Sequence, residues 1–152
     1  MRTSSHSPAE LTQAIAKYFE TLTPQSLAQL PCHYAATARF KDPFNEVQGL
    51  AAIEAIFQHM FRTLATPRFV VTATVLQADQ CFITWDFLFA TGQGASREFV
   101  IRGATHLVYV QEADGAWRIV LHRDYWDAAE ELYEKLPVLG TLMRWLKRRA
   151  RA

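Results

Sequence analysis

Leu11, Ile15, Tyr18, Phe19 and Leu22 recur at helical spacing and lay one apolar stripe along a first helix. Ser7 is placed to cap it, Pro8 suits the first helical position, and Glu10 completes a capping box with Ser7. Thr23-Pro24 repeats the cap-plus-proline signal and predicts a short second helix through Leu30, which Pro31 ends. Residues 35–42 read as a brief strand that runs into Asp42-Pro43-Phe44. A third helix follows Gly49, with Ile53, Ile56, Phe57, Met60, Phe61 and Leu64 on its buried side.

After Pro67 the period changes to two. Phe69 to Leu76, Cys81 to Ala90, Glu98 to Val110 and Trp117 to Trp126 are rich in β-branched and aromatic residues and predict four strands. Ala78-Asp79-Gln80, Gly92-Gln93-Gly94 and Ala113-Asp114-Gly115 separate them as hairpin connections, so the sheet is expected to be mainly antiparallel. Gly103, inside the longest strand, suggests a bulge or a bend. A final helix is expected over about 128–135, and another after Pro137. Helices followed by a run of hairpins mean an α+β domain, with helices covering one face of a curved sheet. On the last strand, strict alternation separates Ile119 and Leu121 from Val120, His122, Asp124 and Trp126, so both faces carry apolar residues. A homodimer through the outer sheet face is the economical way to cover the second one.

The remaining properties narrow this picture little. The 152 residues suit one domain with a continuous core, and no repeat, low-complexity stretch or linker divides them. A net charge of +1 argues against a dedicated nucleic-acid binder. Cys32 and Cys81 fit no metal spacing and read as a reduced pair. No leader pattern follows Met1 and no apolar run is long enough to span a bilayer, so the expected compartment is the cytoplasm. Leu139 to Arg151 mixes apolar residues with Arg144, Lys147, Arg148, Arg149 and Arg151, an amphipathic basic helix that could touch an anionic membrane or pack on its own domain.

Three carboxylates attract chemistry. Asp124 shares a strand face with His122, and in an apolar cavity such a pair could serve as acid and base near neutral pH; the alternative is a structural acceptor that fixes the strand end. Asp42, held extended by Pro43, could shuttle a proton at a cavity rim or simply cap the loop that follows. Asp86 interrupts the apolar run Phe82-Ile83-Thr84-Trp85-Asp86-Phe87, and an isolated buried charge is costly, so Asp86 and Thr84 are expected in the pocket or paired across a dimer face. His59 and His106 lack partners at metal spacing, and no nucleophile motif, phosphate loop or zinc pattern occurs, so neither metal nor cofactor is expected.

The order helix, short helix, strand ending in Asp42-Pro43-Phe44, helix, then four strands ending in Tyr125-Trp126 resembles the nuclear transport factor 2-like fold, a cone-shaped, cystatin-like sheet wrapped round its helices. Within it the chain, from about Leu11 to Ala128, is similar to the ketosteroid isomerase and SnoaL-like polyketide cyclase branch. That resemblance implies Asp42 as the general base and Tyr18 as an oxyanion donor, with Thr105 standing where ketosteroid isomerases carry a protonated Asp. His122 and Asp124 are then additions that make the pocket more polar than a steroid site. The ending Arg123 to Asp127 also looks like that of limonene-epoxide hydrolases, which would make Asp124 catalytic. Their paired Arg and Asp fall on Asp86 and Leu88, and their Tyr and Asn on Phe40 and Asp42, so the array is broken.

Taken together, Asp42, Tyr18, His122 and Asp124 are the candidate catalytic residues, and Phe44, Phe57, Phe61, Thr84, Asp86, Thr105 and Trp126 the candidate pocket. The implied activity is isomerase- or cyclase-like proton transfer on a small, partly apolar molecule. A non-catalytic ligand-binding or dimerisation module is the other reading.

Overall fold

The computed structural model describes residues 5–91, 97–131 and 148. Helix α1 (Pro8–Glu20) starts as its residues dictate: Ser7 Oγ accepts from the Glu10 amide, and the His6 amide donates to the Glu10 carboxylate. Its stripe of Leu11, Ile15, Tyr18 and Phe19 is buried. A 3-10 turn (Gln25–Gln29) leads directly into the short helix α2 (Leu30–His33), and β1 (Tyr34–Lys41) follows. Pro31 does not end the helical segment. It sits in the first turn of α2, where its missing N–H costs nothing.

A three-residue strand, β2 (Glu46–Gln48), folds back on β1 before Gly49, at φ 95°, opens α3 (Leu50–Thr63). Four long strands complete the sheet: β3 (Ala65–Gln77), β4 (Gln80–Thr91), β5 (Arg97–Gln111) and β6 (Trp117–Trp126). The six strands lie in the order β2-β1-β6-β5-β4-β3. Every neighbouring pair is antiparallel except β1 and β6, which run parallel and so bring the ends that carry Lys41 and Asp124 side by side. A last helical turn, α4 (Ala128–Glu131), follows β6. The expected helix beyond Pro137 and its basic face lie outside the described residues. Among those described, no helix is long and apolar enough to cross a membrane.

The core lies between the helices and the inner sheet face. Leu11, Ile15 and Phe19 of α1 and Ile53 and Phe57 of α3 meet Cys81, Ile83, Trp85 and Phe87 of β4, Leu107 of β5 and Ile119 of β6. One feature of that face departs from simple alternation. On β6, Tyr109 pairs with Ile119 and Val108 with Leu121, so Val120 is an extra residue in the ladder. The bulge lets Ile119 and His122, three apart, both point inward, at 0% and 2% exposure. The expectation that Ile119 and His122 occupy opposite faces is therefore corrected.

Gly103 marks no bulge, because β5 runs past it in continuous register with both neighbours. It marks a close approach instead. A Cβ there would lie 2.5 Å from the indole of Trp85 on the adjacent strand, so only glycine leaves room for that ring.

Candidate functional site

Period two along β4 sends Cys81, Ile83, Trp85, Phe87 and Phe89 inward and leaves Phe82, Thr84 and Asp86 on the outer face. Four large rings or branched chains on the buried side outweigh one charge that is content in water. Thr84 and Asp86, expected in the pocket, are therefore on the opposite face of the sheet from His122. Thr84 hydrogen-bonds Thr72 at 2.6 Å, and Asp86 lies 3.9 Å from Arg102.

Inside, the end of β6 carries a continuous polar array. The Trp85 indole N–H donates to Thr105 Oγ1 at 2.8 Å, and Thr105 donates to Asp124 Oδ1 at 2.6 Å. His122 Nε2 lies 2.8 Å from the same Oδ1, and His122 Nδ1 lies 2.8 Å from the Tyr34 hydroxyl. Because Trp85 can only donate, Thr105 has its own proton free for the carboxylate. The imidazole is 2% exposed and walled by the rings of Phe19, Tyr34 and Phe40, whose centroids lie 5.7, 6.0 and 4.6 Å away. Burial, reinforced by the negative charge of Asp124, pushes the Tyr34 phenol well above its ordinary range, so it keeps its proton.

Both partners of Asp124 fall on one oxygen. Among the described residues nothing donates to Oδ2. The one buried side-chain nitrogen or oxygen without a partner there is His33 Nδ1, so Oδ2 is open to solvent. Asp124 separates two spaces. Inward is a cavity of about 20 Å³ bounded by Phe19, Phe57, Phe69, Trp85, Thr105 and His122, with room for about one water. Outward is an open groove of about 520 Å³ along Lys41, Asp42, Pro43 and Arg123 to Asp127.

The other candidates divide between these spaces. Asp42 borders the groove, but its carboxylate accepts from the Phe44 and Asn45 amides, both at 2.7 Å, and from the Asn45 side-chain amide. Trp126 also borders the groove and meets the edge of Phe44 at 5.5 Å. Phe57 and Thr105 line the inner cavity, whereas Phe61 packs at the margin of the core. Tyr18 borders neither: its hydroxyl donates to the Ser26 carbonyl at 3.0 Å, its ring lies 4.5 Å from that of His33, and burial raises its pKa. No group of His, Cys, Asp and Glu able to hold a metal occurs among the described residues.

Tyr34 and Trp85 are the site residues that sequence patterns did not single out. Tyr34 opens a strand and touches a residue 88 positions away, and no local signal reports such a contact. Trp85 had a signal in its own strand, since the heavier aromatic face of β4 is the buried one.

Three solved structures share this architecture. A hypothetical protein with a ketosteroid isomerase-like fold from Catenulispora acidiphila, solved in complex with trimethylamine, is 20% identical over 81% of this chain and 89% of its own, with a TM-score of 0.65. A nuclear transport factor 2-like protein of unknown function from Burkholderia pseudomallei is 14% identical over 81% and 92%, at 0.65. A protein described as a SnoaL-like polyketide cyclase from a Jannaschia species is 14% identical over 81% and 87%, at 0.64. No curated protein sequence matches the chain. The fold is thus the nuclear transport factor 2-like cone, and since the SnoaL-like domain matches residues 15–122, the chain belongs to the SnoaL-like family.

Proposed function

We propose that this protein catalyses proton transfer on a small, partly apolar molecule held in the open groove, with Asp124 Oδ2 as the base. One observation carries the reading: two side chains donate to Oδ1 of Asp124, a residue that lines the groove, while Oδ2 is solvent-accessible and has no partner among the described residues. Such a carboxylate is oriented before a substrate arrives, which lowers the reorganisation needed in the transition state. The proton of an activated C–H bond would pass to Oδ2 and its electron pair into the adjoining carbonyl. Return of the proton at another atom completes an isomerisation, and capture of the carbanion by a second carbonyl a cyclisation. Trp126 and Pro43 offer apolar contact, while Lys41 and Arg123 supply positive charge along the same groove.

The base is Asp124 in this reading rather than Asp42, whose oxygens are already filled by its own loop. A generic probe tests the assignment. 5-Nitrobenzisoxazole loses one C–H proton to a base, its N–O bond breaks, and the coloured phenolate reports the rate. Asp124→Asn is expected to lower the protein-dependent rate by about 10²–10⁴-fold, and Asp42→Asn far less. Equal rates for wild type and Asp124→Asn would sink the proposal.

A non-catalytic binding module is the second reading, favoured by the inner cavity of only about 20 Å³ and by the local bonds of Tyr18 and Asp42. It predicts saturable binding of the probe with no acceleration in any variant. We also propose a homodimer through the outer sheet face, where Val70, Val75, Phe82 and Val110 stand 43%, 64%, 46% and 39% exposed. Sedimentation velocity should show a dimer that Phe82→Asp converts to monomer; a wild-type monomer at high concentration would refute it.

A further inference from the structure

We infer that Tyr34 is a positioning residue, whose hydroxyl donates to His122 Nδ1 and holds the imidazole as its Nε2–H tautomer, aimed at Asp124. The inference rests on the reading of Asp124 as the base and deepens it by naming what keeps that base in place.

The direction of every proton in the array follows from its ends. The Trp85 indole has a hydrogen and no lone pair to offer, so Thr105 accepts from it and donates onward to Asp124 Oδ1. The same carboxylate oxygen accepts from His122 Nε2, which therefore carries the imidazole proton. Nδ1 is left with a bare lone pair in an interior whose nearest rings, Phe19 and Phe40, offer it no hydrogen-bonding atom. Tyr34, 1% exposed and 2.8 Å away, supplies the missing donor. Its own hydroxyl has no second partner among the described residues, so its proton has one place to go. An obligatory donor, Trp85, and a hydroxyl with one proton to give, Tyr34, thus stand at opposite ends of an array whose one charged acceptor is in the middle.

This arrangement explains why a tyrosine opens β1. Parallel pairing of β1 with β6 sets Tyr34 opposite Ile119, and the nearly stacked rings of Tyr34 and His122, tilted by 17°, carry the hydroxyl to Nδ1. Phenylalanine would keep the packing and leave the lone pair buried without a donor. The imidazole would then exchange between tautomers and ring orientations, and the Nε2–H that braces Asp124 would no longer be constant.

The test reads the nitrogens of His122 directly by NMR of protein labelled with ¹⁵N-histidine. Wild type should show a protonated Nε2 and a bare, hydrogen-bonded Nδ1. In Tyr34→Phe the two nitrogen shifts should move towards each other, and turnover of 5-nitrobenzisoxazole should lose roughly tenfold or more in kcat at unchanged KM. Tyr109→Phe, which removes a buried hydroxyl bonded to Thr12 instead, should alter neither reading. If Tyr34→Phe does not fold, global 3-fluorotyrosine labelling replaces it: a stronger phenol donor must move the Nδ1 resonance. Nitrogen shifts in Tyr34→Phe, or in the fluorinated protein, that match wild type would overturn the inference. Wild-type turnover in Asp124→Asn would overturn the base assignment instead, a result the nitrogen spectrum of Tyr34→Phe does not depend on.

Discussion

Asp42 follows the end of β1 and Asp124 lies near the end of β6, so the two carboxylates border one groove from adjacent strands. They are held in opposite ways. Asp42 accepts only from residues two and three positions on, and both its oxygens are engaged. Asp124 accepts from Thr105, 19 residues away, and from His122, which Tyr34 braces from 88 residues away. The first pattern is a turn that would form in almost any fold, and the second exists only when the sheet is assembled. A carboxylate closed by its own loop spends its lone pairs on local backbone order. One gripped through a single oxygen by a distant threonine, and by a neighbouring histidine that a distant tyrosine braces, keeps the other free for a ligand.

The contrast can be tested through stability, starting with the tertiary hold. Gly103→Ala places a methyl 2.5 Å from the Trp85 ring and forces that indole from its position against Thr105. A loss of about 1–3 kcal/mol is expected, read by denaturant unfolding, together with loss of the imidazole signature of His122. If Gly103→Ala were as stable as wild type, the close approach would not be the reason for glycine. Asp42→Ala should cost less, about 1 kcal/mol, because it removes a loop cap and nothing beyond it. A larger loss that also disturbed the His122 nitrogens would show that Asp42 belongs to the distant array after all.

Asp114 offers a second loop carboxylate and the smallest expected effect. It accepts from the Ala116 amide at 3.0 Å and from Arg118, and the Arg118 hydrogen bonds, with that amide, hold its pKa down at about 2. A folded-state value below the unfolded one means that its contribution is complete above the ordinary carboxylate range and disappears as the pH falls towards about 2. The difference in Tm between wild type and Asp114→Asn should therefore shrink steadily from neutral to acid conditions. Because Asp114 is exposed, salt should also reduce it. A difference independent of pH would mean that the amide substitution perturbs the turn by shape alone.

What could be read in advance follows the same division between local and distant. The capping box of Ser7 and Glu10, the apolar stripe of α1 and the four long strands are set by neighbours in the chain and are found, although β3 starts at Ala65, ahead of Pro67 and of the expected Phe69. The shared inward face of His122 and Asp124 was also legible, because period two needs only two residues to state it. The phase of β4 was legible only in its composition: alternation separates Thr84 and Asp86 from Trp85 and Phe87, and the heavier aromatic set is the one that packs with α1 and Phe69. The Val120 bulge left no mark, since its residues are ordinary strand formers and the extra position is visible only against β5. β2 is three residues long, too short for any period to register.

That single additional residue gives β6 one place where its length can change without changing its parity. Upstream of Val120 the inward positions follow Ile119, and downstream they follow His122, Asp124 and Trp126. Deleting Val120 would remove the bulge and, with the upstream ladder kept, leave Leu121 opposite Val108 and His122 and Asp124 inward in plain alternation. A substitution can weaken one member of the cluster, whereas deleting Arg123, in the regular ladder beyond the bulge, turns Asp124 and Trp126 outward together. For lineages descended from this chain, length variation should therefore be tolerated in the hairpin around Asp114 and at the Val120 bulge, and rejected between His122 and Trp126.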